Sequence, residues 1–130
     1  MIGIDSSALI DLFKDNEEIS KLLLDIEDSI VSTYLNYLEI FIGIDTKNEN
    51  HKLQKGFFEE IFNEIKLFNL DTQSCKKSSE IFWNLKKSGM VAETFDCAIA
   101  GILLTNGVNK IITKNKKHYE NISGLEVISY

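Results

Sequence analysis

Residues Ala92–Asn115, AETFDCAIAGILLTNGVNKIITKN, decide how this chain is read. From Ala98 to Leu104 every position is apolar or glycine, and a helix with no polar face is a buried one. Thr105-Asn106-Gly107 supplies the stop. Lys110-Ile111-Ile112-Thr113 then reads as a short strand running out into Lys114-Asn115. One acid, Asp96, stands in the first turns of this helix and is expected to enter the interior. A lone buried carboxylate costs several kcal/mol even after relaxation, so its compensation must come from elsewhere in the chain.

Upstream, Met1-Ile2-Gly3-Ile4-Asp5 reads as a buried strand ending on an acid, followed by the helical pattern Ala8-Leu9-Ile10-Asp11-Leu12-Phe13. Asp5 or Ser6 suits the N-cap of that helix, Asp11 its solvated side, and Asp15-Asn16 a turn and cap for the next. Ile19, Leu22, Leu23 and Ile26 recur at helical spacing, and Ser29–Ser32 reads as a brief strand. Tyr34 to about Thr46 is a nearly all-apolar helix interrupted only by Asn36, Glu39 and Gly43, with Gly43 placed to admit a neighbouring backbone. Lys47–Ile65 starts polar and becomes an amphipathic helix. Lys66–Leu70 follows as a strand, then a helix from Gln73 to Lys87 capped by Asp71-Thr72, with Trp83 expected to pack. Glu126-Val127-Ile128 is the last strand. Strands alternate with helices throughout, which predicts one domain over residues 1–130: an α/β sandwich with a mostly parallel sheet and its functional groups beyond the carboxyl ends of the strands.

The totals narrow the function. The net charge of -6 and pI near 4.9 disfavour a nonspecific nucleic-acid coat but leave room for a local basic patch. The absence of arginine leaves lysine to make the cationic contacts. Cys75 and Cys97 have neither zinc-like spacing nor a disulfide framework and read as reduced thiols, one of them in the core. With no apolar run near the roughly 20 residues that span a bilayer, and no signal-like segment after Met1, a soluble cytoplasmic protein is expected.

Asp5, Glu39 and Asp96 share one property: each sits among apolar neighbours with no cation close in sequence. Asp5 and Asn115 each follow a strand, which can bring them to one rim of the sheet, with Glu39 and Asp96 facing that rim from two helices. Clustered carboxylates repel, so the set makes physical sense around a divalent cation. Oxygen-only donors point to Mg²⁺ or Mn²⁺ rather than zinc. An aspartyl-nucleophile phosphatase would need a second Asp two residues past the strand-end acid, where Ser7 stands. A receiver domain would need an acidic pair at the first strand, which is missing.

In order along the chain, Ile4-Asp5-Ser6-Ser7 with Leu9-Ile10-Asp11, Leu38-Glu39-Ile40 with Gly43, Phe95-Asp96 with Ile99-Ala100, and Thr113-Lys114-Asn115 with His118-Tyr119 and Gly124-Leu125 resemble the successive motifs of a PIN domain in its small VapC-like toxin form. The resemblance implies a three-layer α/β/α fold and a Mg²⁺- or Mn²⁺-dependent endoribonuclease. It further implies a homodimer, and a toxin partnered by a small antitoxin with a basic or amphipathic tail. It carries the family's acidic positions onto Asp5, Glu39 and Asp96 as metal ligands, and a fourth catalytic position onto Asn115, where a neutral amide replaces the frequent Asp. Ser6, Glu93 and Thr113 fall where supporting residues stand. Lys114, Lys116 and Lys117, with Lys110 and His118 close by, are the expected RNA contacts. The antitoxin is expected on the first helices and the Lys47–Phe62 region. Two other readings stay open: a PIN nuclease of RNA maturation or decay, and a catalytically silent PIN-fold binding module.

Overall fold

Ile2–Ile4 forms the first strand, β1, short and wholly buried. In the computed structural model, which describes residues 1–130, β1 is followed by α1 (Ser6–Phe13), α2 (Glu17–Asp25), β2 (Ile30–Thr33), α3 (Tyr34–Ile42), a 3-10 turn (Glu49–His51) and α4 (Lys52–Glu64). Then come β3 (Lys66–Phe68), α5 (Thr72–Lys87), α6 (Thr94–Thr105), β4 (Lys110–Ile112), α7 (Lys116–Tyr119) and β5 (Glu126–Ile128). The five strands lie in the order β3-β2-β1-β4-β5, and every pairing is parallel. The α/β sandwich expected from the alternation is the fold, with a sheet parallel throughout.

Period-two alternation divides the strands between two cores. Ile2, Ile4 and Ile112 face a core closed by α1 to α4 through Leu9, Ile19, Ile40 and Phe58. Val31 and Ile111 face the opposite core, closed by α5 and α6 through Ile81, Leu85, Ile99 and Leu103. Gly101 is the closest approach between α5 and α6: a Cβ there would lie 2.9 Å from the Ser74 carbonyl and 3.0 Å from the Ser78 nitrogen. Helix starts and stops follow local chemistry. Asp71 and Ser74 close a reciprocal capping box, and Gly107 takes φ 76° while Val108 N–H reaches back to Leu103 O at 2.9 Å.

From β1 the chain steps outward through β2 to β3, then returns across the sheet to place β4 on the other side of β1. The β1/β4 boundary is thus the topological switch point, where the carboxyl ends of strands leave a crevice. Asp5 and Thr113 follow these two strands directly.

Several local expectations are corrected. Asp11 is 6% exposed rather than solvated, because Tyr130 and Lys114 both reach its carboxylate. Gly43 caps α3 instead of admitting a backbone; a Cβ there would meet only Ile40 O. Trp83 is 56% exposed, resting edge-on against Phe82, since α5 turns that side away from the core. The strand at Lys66 ends at Phe68, and Lys116–Tyr119 winds into a helical turn that no periodicity signalled. Cys97 is in the core as expected, and burial pushes its thiol pKa up. No helix is long and apolar enough to cross a membrane.

Candidate active site

Asp5 enters the crevice because α1 starts there. Its extended backbone (φ -93°, ψ 174°) is that of an N-cap, and its Oδ1 accepts the Ala8 N–H at 3.2 Å. Capping does not use up the carboxylate. Ser7 Oγ donates to the same Oδ1 at 2.7 Å, and Thr113 Oγ1 donates to Oδ2 at 2.6 Å. Those hydroxyls are in turn fixed by backbone amides of the loop after β4: Lys114 N–H donates to Ser7 Oγ at 3.1 Å, and Asn115 N–H to Thr113 Oγ1 at 2.9 Å. Loop, hydroxyls and carboxylate form one continuous relay at the switch point. Burial still wins at Asp5, whose pKa lies above the ordinary carboxylate value despite these donors.

Glu39 comes from α3 by way of a polar ladder that starts at the helix cap. Thr33 Oγ1 accepts the Asn36 N–H at 3.1 Å and donates to Asn36 Oδ1 at 2.7 Å, so the buried amide can aim its Nδ2 at Ser6 Oγ, 3.2 Å away. Ser6 Oγ donates to Glu39 Oε1 at 2.9 Å. The side chain as a whole lies on the exposed side of α3, with its carboxylate half-buried. Desolvation raises its pKa, Ser6 lowers it, and the fields of Asp96 and Asp5 raise it further.

Asp96 stands in the first turn of α6 at the rim, its side chain 14% exposed, rather than inside the core. His118 Nδ1 lies 3.1 Å from its Oδ2, and the buried Tyr119 hydroxyl lies 3.4 Å from its Oδ1. The compensation that the sequence demanded therefore comes from α7. Desolvation leads in raising the Asp96 pKa, His118 opposes it, and Glu93 and Asp5 add to it. Tyr119 is held neutral by burial and by the fields of Asp5, Asp96 and Glu39, which it faces together.

The three acids thus share one rim and feel one another's charge, and no lysine pairs with any of them. Their donor chemistry is all hard oxygen, the set that suits Mg²⁺ or Mn²⁺. Nowhere do three or more His, Cys, Asp or Glu side chains close to the spacing of a finished ligand cage. The three acids face one rim without closing a cage.

The remaining predicted residues divide. Asn115 caps α7 at the exposed rim, and its side chain makes no cap hydrogen bond. Glu93 precedes α6 and is exposed. Lys117 and His118 line a groove of about 450 Å³ with Glu93 and Asp96, and Lys116 is exposed beside them. Lys114 instead pairs with Asp11. Sequence reasoning missed Asn36, Ser7 and Tyr119 as positioning groups. The signal for Asn36 was there: an amide one helical turn before Glu39 and three residues after a capping Thr, in an otherwise apolar helix.

Residues 2–124 match the profile of a known family described as the PIN domain. The backbone is similar to the structure of VapBC2 from Rickettsia felis bound to a DNA fragment from its promoter, with TM-score 0.85 and 14% identity over 100% of this chain and 99% of that one. VapBC-1 from nontypeable Haemophilus influenzae gives TM-score 0.81 and 22% identity over 99% and 98% of the two chains. FitAcB from Neisseria gonorrhoeae gives 0.77 and 16% over 98% and 96%. No curated protein sequence matches the chain.

Proposed function

Since the chain belongs to the PIN domain family, we propose that it is a Mg²⁺- or Mn²⁺-dependent endoribonuclease, acting in the cytoplasm as the toxin of a VapBC-type toxin–antitoxin pair. The observation that carries this reading is the gathering of Asp5, Glu39 and Asp96, uncompensated by lysine, at the switch point of a parallel sheet.

Asp5, Glu39 and Asp96 would hold the ion, with Asn115 contributing its amide oxygen directly or through water. When bound, a divalent ion supplies a water of lowered pKa and neutralises charge on the scissile phosphate. The chain's own groups do the orienting. Ser7 and Thr113 hold both oxygens of Asp5, and Ser6 with Asn36 aims Glu39. His118 and Tyr119 hold the two oxygens of Asp96, with Glu93 adding negative charge beside it. Lys116 and Lys117, with Lys114, supply the cations for substrate phosphates.

Partner surfaces fit the same reading. On α3, Tyr34, Leu38 and Ile42 are 48%, 45% and 74% exposed, an apolar face suited to a second copy of the chain. An open groove of about 700 Å³ on α4, lined by Leu53, Gly56 and Phe57 with Glu49, Glu60 and one cation, Lys52, suits an antitoxin tail that is apolar and carries a basic residue toward the two acids. Among the solved neighbours, one is described as a toxin–antitoxin complex from Klebsiella pneumoniae, and VapBC-5 from Mycobacterium tuberculosis as a member of the VapBC family of toxin–antitoxin systems.

The test is digestion of total RNA with and without chelator, with the cut ends mapped, for the wild type and Asp96→Asn. Discrete Mg²⁺-dependent cuts that vanish in the variant are expected, a loss of about 100-fold or more. Cutting that persists in chelator would remove the metal from the mechanism, and cutting that persists in the variant would remove Asp96. No cutting at all would favour the second reading, a silent binding module, toward which the open spacing of the acids and the neutral Asn115 both lean.

A further inference from the structure

Asp11 lies outside the acid cluster, yet it is one of the most tightly held carboxylates in the molecule. Its side chain is 9% exposed. Tyr130 OH donates to Oδ2 at 2.7 Å, and Lys114 Nζ lies 3.6 Å from Oδ1. Asp11 is four residues after Ser7 on α1, so the two share one face of that helix. Ser7 Oγ accepts the backbone N–H of Lys114 at 3.1 Å. One helix face therefore grips one residue twice, by its main chain through Ser7 and by its ammonium through Asp11.

A lysine has four rotatable bonds, and an exposed one samples many rotamers. Here the Lys114 side chain stays 62% exposed while its head is tethered. At 3.6 Å the contact is an ion pair rather than a hydrogen bond, so the three donors of the ammonium stay open to solvent, while the Lys114 main chain is fixed to the Asp5 relay through Ser7. Tyr130 keeps Asp11 from turning away by occupying its second oxygen.

We propose that Asp11 is a positioning residue that clamps Lys114 as a preset contact for the substrate phosphate flanking the acid cluster, with Tyr130 as the lock. This rests on the nuclease reading for the phosphate but not for the clamp. The chemistry explains why an acid sits under a cation that must meet phosphate. Fixing the cation in advance removes the ordering cost from binding, at the expense of part of its free charge.

The experiment compares wild type, Asp11→Asn, Tyr130→Phe, Lys114→Met and the Asp11→Asn/Lys114→Met double variant. One arm uses no RNA: the amide NMR signals of Thr113, Lys114 and Asn115 and the Lys114 side-chain signals. The other measures kcat and KM on a short RNA with Mg²⁺. Asp11→Asn is expected to move the Lys114 signals and to raise KM about fivefold while kcat stays close to wild type. The double variant should be no worse than Lys114→Met alone, since the two act through one contact. Tyr130→Phe should move the same signals by a smaller amount. Unmoved Lys114 signals in Asp11→Asn, or multiplying effects in the double variant, overturn the clamp. If no variant or wild type cleaves RNA while the signals still move, the nuclease reading falls and the clamp stands.

Discussion

Thr113 Oγ1 donates to Asp5 Oδ2 at 2.6 Å, a buried bond that joins residues 108 positions apart and ties the end of β4 to the end of β1. Thr113 is fully buried, and no other donor reaches that oxygen. Replacing Thr113 by Val keeps the shape and leaves a buried carboxylate oxygen unpaired. A loss of about 1–3 kcal/mol in urea unfolding is expected, together with a fall in RNA cleavage. Unchanged stability would mean that water replaces the hydroxyl without cost.

Removing divalent ions should expose the repulsion within the acid cluster. Asp5, Glu39 and Asp96 all have folded-state pKa values above their ordinary ones, with desolvation the leading cause. In the window between the ordinary and the raised values the folded state binds more protons, so stability from these groups is full below the ordinary values and falls as pH rises through the raised ones. Metal-free protein should therefore carry less stability from these groups at pH 7 than at a pH near their ordinary values, about 4. Added Mg²⁺ at pH 7, or Asp96→Asn, should raise the melting temperature by about 3 °C or more. Calorimetry at the two pH values, with and without Mg²⁺, checks the sign; a Mg²⁺-insensitive melt would count against a metal at this rim.

The packing of α5 on α6 gives a prediction free of any functional reading. Gly101→Ala gains about 1 kcal/mol of helix propensity, but its methyl meets the Ser74 carbonyl at 2.9 Å and the Ser78 nitrogen at 3.0 Å, neither of which can swing aside. A net destabilisation of about 1–3 kcal/mol is expected in denaturant unfolding. A more stable variant would show that the two helices separate at little cost.

Lys116 and Lys117 are exposed and free of ion pairs, unlike Lys114. Changing both to Met should reduce the slope of log K against log salt for single-stranded RNA by roughly 0.7 for each phosphate that is no longer neutralised. Filter binding over a salt series measures it. An unaltered slope would return both lysines to the solvated surface.

Local sequence carried much of this molecule because several of its signals are short-range. Asp71 and Asn16 announce helix starts through side chains that reach three residues ahead, and Gly89 and Gly107 mark helix ends by adopting φ of 73° and 76°. Asp5, Glu39 and Asp96 were visible for a related reason: an acid in an apolar stretch is anomalous without knowing its partners. The alternation of strand and helix then required a layered parallel sheet, and the ordered motifs pointed to the PIN family that the profile match establishes.

Tertiary structure decided the partners. Whether Asp11 faced solvent or Tyr130, whether Asp96 was relieved by a lysine or by His118, and whether the apolar α3 was covered or bare all depended on elements far apart in sequence. A helix pattern says which face is apolar but not whether anything is present to cover it. A carboxylate shows that it needs a donor but not which of the chain's hydroxyls and cations folding will deliver. Those choices follow from strand order, which set β4 beside β1 and so brought Thr113, Lys114, His118 and Tyr119 to Asp5, Asp11 and Asp96.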